Sequence, residues 1–511
     1  MEIRHTSSSG RMEHRMDISF LSKEIPIYRE YDRQARRTQE SVECVVPDTD
    51  ADIGKIAAVQ SEVFLKSKDL SARGVLVTGE LAASVLYIRD GSEGITALAI
   101  HKPFSLEFEL EEPESDTLSQ IALFLQGTDV RVINPRKISL AFEVEGVLHS
   151  YRREKLRVES ALPDNTPGLH ARIEAQTLTV PCAVCEKSLA VNEQFGFSQQ
   201  SPAVLLAEKA ALSVTDCQLI GTKAIVKGSA EIRVTAAAAE GAVPFVSVFT
   251  APFSQILEVG VESMSHCLIR PEITGAYYDL VDAINGEKAL DVELHAVLQL
   301  VCCEKQEIRC ITDAYSNLMP AQLLCRTEEY RETGAAETRT LSAREKLSLT
   351  EQCRELLHSF ASVSRVSAEA GKLTASVNLD FLYLNAEGRL AACRRSLALS
   401  QDAASEELRI VGIGALQTEL SAEGEQVSCS VSLELRCALQ RKKEISMVDG
   451  IMLDEERLYC QDALPTLTLV RREGESIWNL AKRYHSSEAL ILDRNANPED
   501  AGRMLMIPKC I

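Results

Sequence analysis

Apolar and polar residues alternate with a period of two in three long stretches that lie about 150 residues apart. The stretches are 74–87, 223–236 and 371–383, and Gly79 of the first aligns with Gly228 of the second. Side chains of a strand point to opposite faces in turn, so this alternation predicts a half-buried strand in each stretch.

Each of these strands runs into a glycine-containing turn. The turns are Asp90-Gly91, Glu240-Gly241 and Glu387-Gly388, and a second alternating stretch follows each one. Two strands joined by such a turn predict a β-hairpin. A further alternating strand comes later in every copy, at 138–148, 289–301 and 427–439.

A segment of more helical character precedes each long strand, at 52–63, 203–214 and 353–364. Each copy is therefore expected to hold one short helix followed by several antiparallel strands. A period near 150 residues is too long for a solenoid repeat, and it indicates homologous domains in tandem. The expected fold is mainly β, with three tandem antiparallel β-sandwich-like repeat domains and a small C-terminal module.

The expected boundaries follow from these copies and from the turn-forming residues between them. A flexible, basic N-terminal segment and a linker flank the repeats. The segments are 1–42 (N-terminal segment), 43–175, 176–325 and 326–448 (repeats one to three), 449–465 (linker) and 466–511 (C-terminal module).

The last 45 residues predict the order strand, helix, helix, strand. An extended stretch at 466–470 leads to Gly474, and Ser476 can cap a helix whose apolar face follows at i, i+3, i+4 and i+7. A second short helix is expected to end near Asn495, and residues 504–508 form the closing strand. This order makes the segment a module separate from the repeats.

The net charge of −20 argues against nucleic acid and anionic membrane surfaces as partners. The N-terminus has no apolar core of signal-peptide length, and no stretch is long enough for membrane insertion, so a cytoplasmic location is expected. Fifteen cysteines, an odd number, indicate reduced thiols. The CxxC at Cys182 and Cys185 leaves a zinc site open as the alternative to buried free thiols.

No catalytic motif accompanies these elements. The sequence contains no phosphate-binding GxxxxGK[ST] loop, no GxSxG elbow and no HExxH, and no two of its nine histidines are spaced i, i+4. We therefore expect no enzyme activity, no catalytic residue, no metal and no cofactor.

The C-terminal module resembles a LysM module. The resemblance is carried by Gly474, Glu475, Ser476, Ile477 and Trp478 at the start of helix one, by 481–484, by Asn495 and by Ile507-Pro508. It implies a groove between the loops around the two helices. The residues expected to bind a partner there are Gly474, Glu475, Ser476, Ile477, Trp478, Arg494, Asn495, Ala496 and Asn497.

The repeated unit resembles the SPOCS domain, and the whole chain resembles SipL-type spore coat morphogenetic proteins. This resemblance rests on the strands ending at Tyr87 and Tyr383, Val45-Val46-Pro47, the DAYS segment 313–316 and the LysM-like end. The resemblance implies a non-enzymatic scaffold at the forespore surface in the mother cell cytoplasm during sporulation. Its partner would be the coat basement-layer ATPase (SpoIVA-type), bound through the LysM-like module. Binding of peptidoglycan, an N-acetylglucosamine polymer, is the alternative that stays open.

Overall fold

The computed structural model describes residues 15–91, 94–111, 113, 116–164, 166–198, 200–283, 287–403, 405, 407–459, 466–472, 474–496 and 504–509. Strands dominate it, and the helices in these ranges are two of seven residues each, both in the terminal module. The expectation of a mainly β chain is therefore confirmed.

Unit one consists of six antiparallel strands in two three-stranded sheets. The sheet orders are β3-β4-β5 and β2-β7-β6. Leu81 and Val85 from the first sheet and Phe142 from the second lie in one fully buried core. The strands are β2 (Leu21–Val45), β3 (Ile53–Ser71), β4 (Gly74–Arg89), β5 (Ile95–Glu109), β6 (Leu118–Asn134) and β7 (Lys137–Ala161).

Unit two repeats this arrangement. Its sheets are β9-β10-β11 and β12-β13-β8, and they share a core that includes Ile232 and Leu298. The strands are β8 (Leu169–Gly196), β9 (Val204–Ile220), β10 (Lys223–Ala237), β11 (Phe245–Glu258), β12 (His266–Asp282) and β13 (Lys288–Ser316).

Unit three has the same arrangement, except that its first strand is split in two and β1 (Arg15–Ser19) also pairs with its last strand. β14 and β15 both pair with β20, whose other neighbour is β19, and β16-β17-β18 form the facing sheet. Phe381 and Leu433 lie in the shared core. The strands are β14 (Ala321–Thr333), β15 (Glu337–Ser348), β16 (Cys353–Glu369), β17 (Lys372–Asn385), β18 (Leu390–Asp402), β19 (Leu408–Glu423) and β20 (Gln426–Asp454).

The alternating stretches are the central strands β4, β10 and β17, as predicted. Along β4, buried and partly exposed residues alternate from Thr78 to Val85. The hairpin turns are confirmed as well, because Gly91, Gly241 and Gly388 adopt φ between 69° and 76°, a left-handed conformation that glycine reaches without strain.

The short helix expected in each repeat is wrong. Segments 52–63, 203–214 and 353–364 lie in β3, β9 and β16. β3 buries both faces: Val59 contributes to the unit core, whereas Ala57 and Ala58 contribute to a cluster that also contains residues of units two and three. Bulges at three places in β3 also shift its register. Burial on both sides and bulges together produced an apolar spacing that resembled a helix.

Two segments assigned to flanking regions lie within the strands. Residues 21–42, expected in the N-terminal segment, belong to β2, which pairs with β7 along its whole length. Residues 449–454, expected in the linker, end β20. The first segment is held by pairing with β7, and the second is the end of β20 itself.

The three units converge where their longest strands pair beyond the cores. The paired ends of β2 and β7, of β8 and β13, and of β14 and β20 form three two-stranded ribbons. The side chains that they bury together form the central cluster: Ile27, Leu156, Val158, Leu178, Val180, Ile308, Cys310, Tyr330, Ile445 and Met447. Apolar burial of this kind holds the units to one another.

The first strand among the described residues closes the arrangement. β1 (Arg15–Ser19) pairs with the last residues of β20, from Gly450 to Asp454. Phe20 follows it, is 3% exposed, and packs with Ile451 and Leu453. The start of unit one is therefore held by the end of unit three.

Candidate binding surface of the terminal module

The terminal module has the strand-helix-helix-strand order that the sequence predicts. Its elements are β21 (Leu467–Arg471), α1 (Ile477–Arg483), α2 (Glu488–Arg494) and β22 (Met504–Pro508), and β21 pairs with β22. Both helices begin at serine caps: Ser476 Oγ accepts from Asn479 N at 3.2 Å, and Ser487 Oγ accepts from Leu490 N at 3.2 Å. Each cap satisfies an N–H that the helix itself leaves unpaired.

Asn495 fixes the end of α2 to β22. Its amide nitrogen donates to Ile491 O and to Met506 O, both at 2.7 Å, and its amide oxygen accepts from Met506 N at 2.8 Å. The residue is 8% exposed. The three hydrogen bonds of this side chain all lie inside the module, so its role is to hold the fold.

Trp478, the single tryptophan of the chain, lies between the module and unit two. Its indole N–H donates to Asp313 Oδ2 at 2.7 Å, and its ring meets the Tyr315 ring edge to face, with centroids 4.9 Å apart. The residue is 5% exposed, in a cluster with Ile477 and Leu480. A donor on a carboxylate gives a stronger hydrogen bond than a neutral pair.

Two further contacts hold the module to unit two. Lys482 Nζ lies 2.8 and 3.0 Å from the two carboxylate oxygens of Asp313, and Tyr315 donates its hydroxyl to Ser486 O at 2.9 Å. Tyr315 is 3% exposed and also stacks on His170. We call Asp313 and Tyr315 the docking pair.

A β-bulge directs the docking pair toward the module. In the register of β13 on β8, Ile311 pairs with Ile173 and Asp313 pairs with Arg172, so Thr312 is the extra residue. A bulge of this kind bends the strand and re-aims the side chains that follow it. Residues 313–316, the DAYS segment, therefore lie on the docking surface.

The residues expected to bind a partner divide into two groups. Ile477, Trp478 and Asn495 are buried; Glu475 pairs with Arg483 at 2.7 Å, and Ser476 caps α1. The remaining described members are exposed, and Asn497 lies outside the described residues. The exposed members are Gly474, Arg494 and Ala496.

The outer face of the β21–β22 ribbon is exposed and largely apolar, with Arg471, the partner of Met504, at one end. Leu469 and Met506 are cross-strand partners and are 60% and 39% exposed. Leu467 and Met504 lie on the same face, because side chains alternate along each strand, and both are also exposed. We call these four residues the ribbon face. The sequence marked this strand pair but gave no reason to expect its outer face to be apolar.

Comparison with known proteins adds no relative. No family model, no curated protein and no solved structure matches this chain. A proposal for the function therefore rests on the resemblance stated above and on the residues and contacts of the molecule itself.

Two other searches of the molecule concern metals and membranes. Among the described residues, no group of three or more His, Cys, Asp or Glu side chains is placed to hold a metal ion. Cys182 and Cys185, expected either as free thiols or as zinc ligands, are free and half-buried against the unit-two core. Neither described helix has the length or apolar character needed to cross a membrane.

The docking pair was missed as a functional element by sequence reasoning. Asp313 and Trp478 are separated by 165 positions, and nothing local relates them. The signal available in the sequence was the DAYS segment, which stood out only as part of a family resemblance. An exposed-looking Asp-Ala-Tyr at the end of a strand gives no indication of its contact.

Proposed function

We propose that this chain is a non-enzymatic scaffold of the SipL type. In this proposal, three tandem SPOCS-like, β-sandwich-like domains carry a LysM-like module that binds another polypeptide. The partner would be the coat basement-layer ATPase of the SpoIVA type, met at the forespore surface in the mother cell cytoplasm. The observation that carries the proposal is the ribbon face, which is exposed on a module that other residues, among them Trp478 and Lys482, hold to unit two.

The ribbon face supports a protein ligand rather than a sugar. Its four side chains are aliphatic or thioether groups, and Met is frequent at protein interfaces because it is flexible and polarisable. Sugar rings are commonly held on aromatic faces, but the Trp478 ring is in contact with Tyr315. An apolar face of this kind is a typical centre for a protein contact.

The charge of the module also suits a protein contact. Residues 466–511 hold seven Lys or Arg and six Asp or Glu, whereas the whole chain carries −20. The excess negative charge therefore lies on the body. A nearly neutral module can approach an acidic or a basic partner without strong repulsion.

The experiment compares full-length variants in affinity capture with the purified ATPase. Leu469→Asp combined with Met506→Asp places two charges on the ribbon face, and we expect the affinity to fall more than about tenfold. The matched control is Val248→Asp on β11, a residue that is 50% exposed and outside the module. Trp478 fluorescence verifies that the module stays folded and docked in each variant.

A second part of the experiment distinguishes binding of the ATPase from the alternative, binding of peptidoglycan. The same variants are mixed with purified cell wall and sedimented. The proposal would be overturned if the wild-type chain and the ribbon-face variant both sedimented with the cell wall and the variant captured the ATPase as well as the wild-type chain did. Loss of ATPase capture by the ribbon-face variant alone supports it.

A further inference from the structure

A small cavity lies where the three units meet, away from the terminal module. Unit one contributes Glu30, Arg33 and His149 to its lining, unit two contributes Arg270, and unit three contributes Arg409 and Gln440. The lining therefore carries three guanidinium groups, one from each unit, and a single carboxylate.

The carboxylate is already engaged by other groups. Glu30 Oε1 lies 2.6 Å from His149 Nδ1, and Glu30 Oε2 accepts from Gln440 Nε2 at 2.6 Å. Burial and the nearby Arg270 lower the pKa of His149 to about 4, so the ring is neutral at pH 7 and donates to Glu30. Both hydrogen bonds that Glu30 accepts thus come from neutral donors, and neither bond offsets the charge of an arginine.

Arg270 is the most deeply placed of the cations. It is 4% exposed, its Nη1 donates to Gln120 Oε1 at 2.8 Å, and it forms a hydrogen bond with Tyr151. Both partners are neutral groups. Its Nε is buried and has no hydrogen-bond partner among the described residues. A buried cation with an unmet donor is costly unless an acceptor lies beside it.

The guanidinium groups are close enough to act on one another. Burial lowers the pKa of Arg33, and the positive charges of Arg409, Arg270 and Arg331 lower it further, while Glu30 opposes them. The groups stay protonated, because arginine does not lose its proton in proteins. Their positive charges repel one another, so the junction of the three units carries a local excess of positive charge.

The space limits the size of the acceptor. The cavity is small, with a volume of about 20 Å³. This is the room of one water molecule or of one monatomic ion. Larger oxyanions would have to displace the lining side chains.

We propose that this cavity binds one monovalent inorganic anion of the size of chloride, with Arg270 and Arg33 as its principal ligands. The anion accepts from the Nε–H of Arg270 and offsets the excess positive charge at the junction. It thereby fastens β2, β12 and β19, which belong to three different units.

The direct test uses crystals of the full chain grown or soaked in bromide, with diffraction data collected at the bromine absorption edge. We expect one anomalous peak in hydrogen-bond contact with Arg270 Nε. The peak should be lost, or its occupancy should fall at least twofold, in Arg33→Gln. Density without anomalous signal at this position would mean water and would overturn the proposal.

A solution measurement covers the case of a variant that crystallises poorly. The Tm of the wild-type chain is followed while bromide replaces gluconate at constant ionic strength, and it should rise with the logarithm of the halide concentration. Arg33→Gln should reduce this slope at least twofold. Arg131→Gln, an exposed arginine on β6, is the matched control and should keep the wild-type slope. Equal slopes for all three chains would overturn the proposal.

Discussion

The ribbons of units two and three carry the same bulge at the same place, yet only the ribbon of unit two holds the terminal module. In β13 the extra residue is Thr312, in β20 it is Asp449, and in β7 of unit one it is Ser160. The bulge is therefore shared by all three units, which differ in the side chains beyond it and, in unit three, in the pairing of β1 at this edge.

The positions that match the docking pair are different in each unit. Asp313 corresponds to Ala161 in unit one and to Gly450 in unit three, which pairs with Ser19 of β1. Tyr315 corresponds to Pro163 and to Met452. Neither of the other units offers a carboxylate and a hydroxyl to the module. Of the three units, only unit two carries Asp and Tyr at these positions.

The largest effect is expected from Tyr315→Ala, which removes the ring between Trp478 and His170 together with a buried hydrogen bond. Loss of a buried aromatic side chain costs about 3 kcal/mol or more. We expect the module to leave unit two, with a red shift of Trp478 fluorescence and stronger quenching by acrylamide. Tyr277→Ala, at a tyrosine that is 59% exposed, is the control. An unchanged spectrum would show that the docking pair does not hold the module.

A smaller effect is expected from Asp313→Ala. The indole N–H of Trp478 would remain buried without its acceptor, at a cost of about 1–3 kcal/mol. Asp313→Asn keeps an oxygen acceptor and should lose less. Urea unfolding followed by Trp478 fluorescence compares both with Asp291→Ala, an exposed residue of the same strand. Equal losses for the alanine and asparagine variants would contradict the assignment of the acceptor role.

Lys482→Met should change docking by less than about 1 kcal/mol, because the ion pair with Asp313 is partly exposed and screened by solvent. The effect should shrink further at high salt. Arg494→Met, at an exposed cation of the same module that pairs with Asp493, serves as the comparison. A loss larger than that of Asp313→Asn would mean that Lys482 has a further partner.

The smallest effect concerns pH. Burial lowers the pKa of His170, which stacks on Tyr315, and burial also lowers the pKa of His485, which stacks on Tyr459. A folded-state pKa below the unfolded value near 6.5 leaves docking intact above that value and weakens it as the pH falls through the folded value. Both rings are partly exposed, so we expect less than about 1 kcal/mol.

The measurement for this prediction is Trp478 fluorescence between pH 7.5 and pH 5. His170→Gln should flatten part of the change. His295→Gln, in an exposed pair with Tyr277, should keep the wild-type profile. Docking that strengthens as the pH falls would reverse the assigned sign.

The central strands and the module helices could be predicted because their signals are local. The alternation from Leu81 to Tyr87 indicates which face of the strand is buried. Ser476 marks the start of α1 and lies within three residues of the N–H that it caps. The segments before the central strands could not be predicted in the same way. Ala57 and Val59 serve two different cores, so no single period describes β3.

The contacts that relate the module to unit two lie beyond any local signal. Whether Trp478 presents its ring to a ligand or to Tyr315 depends on a strand end 165 positions earlier in the chain. The same holds for Asn495, whose helix-ending position was evident, whereas its three bonds inside the module were not. Sequence identifies such residues as distinctive, and tertiary contacts decide their use.

The pairing of β1 with β20 has a consequence for synthesis. Arg15 is translated before unit one, but its partner Asp454 is translated only at the end of unit three. Until Asp454 has been translated, β1 cannot form its backbone hydrogen bonds with the end of β20. The pairing that joins the start of unit one to the end of unit three can therefore form only after all three units have been synthesised.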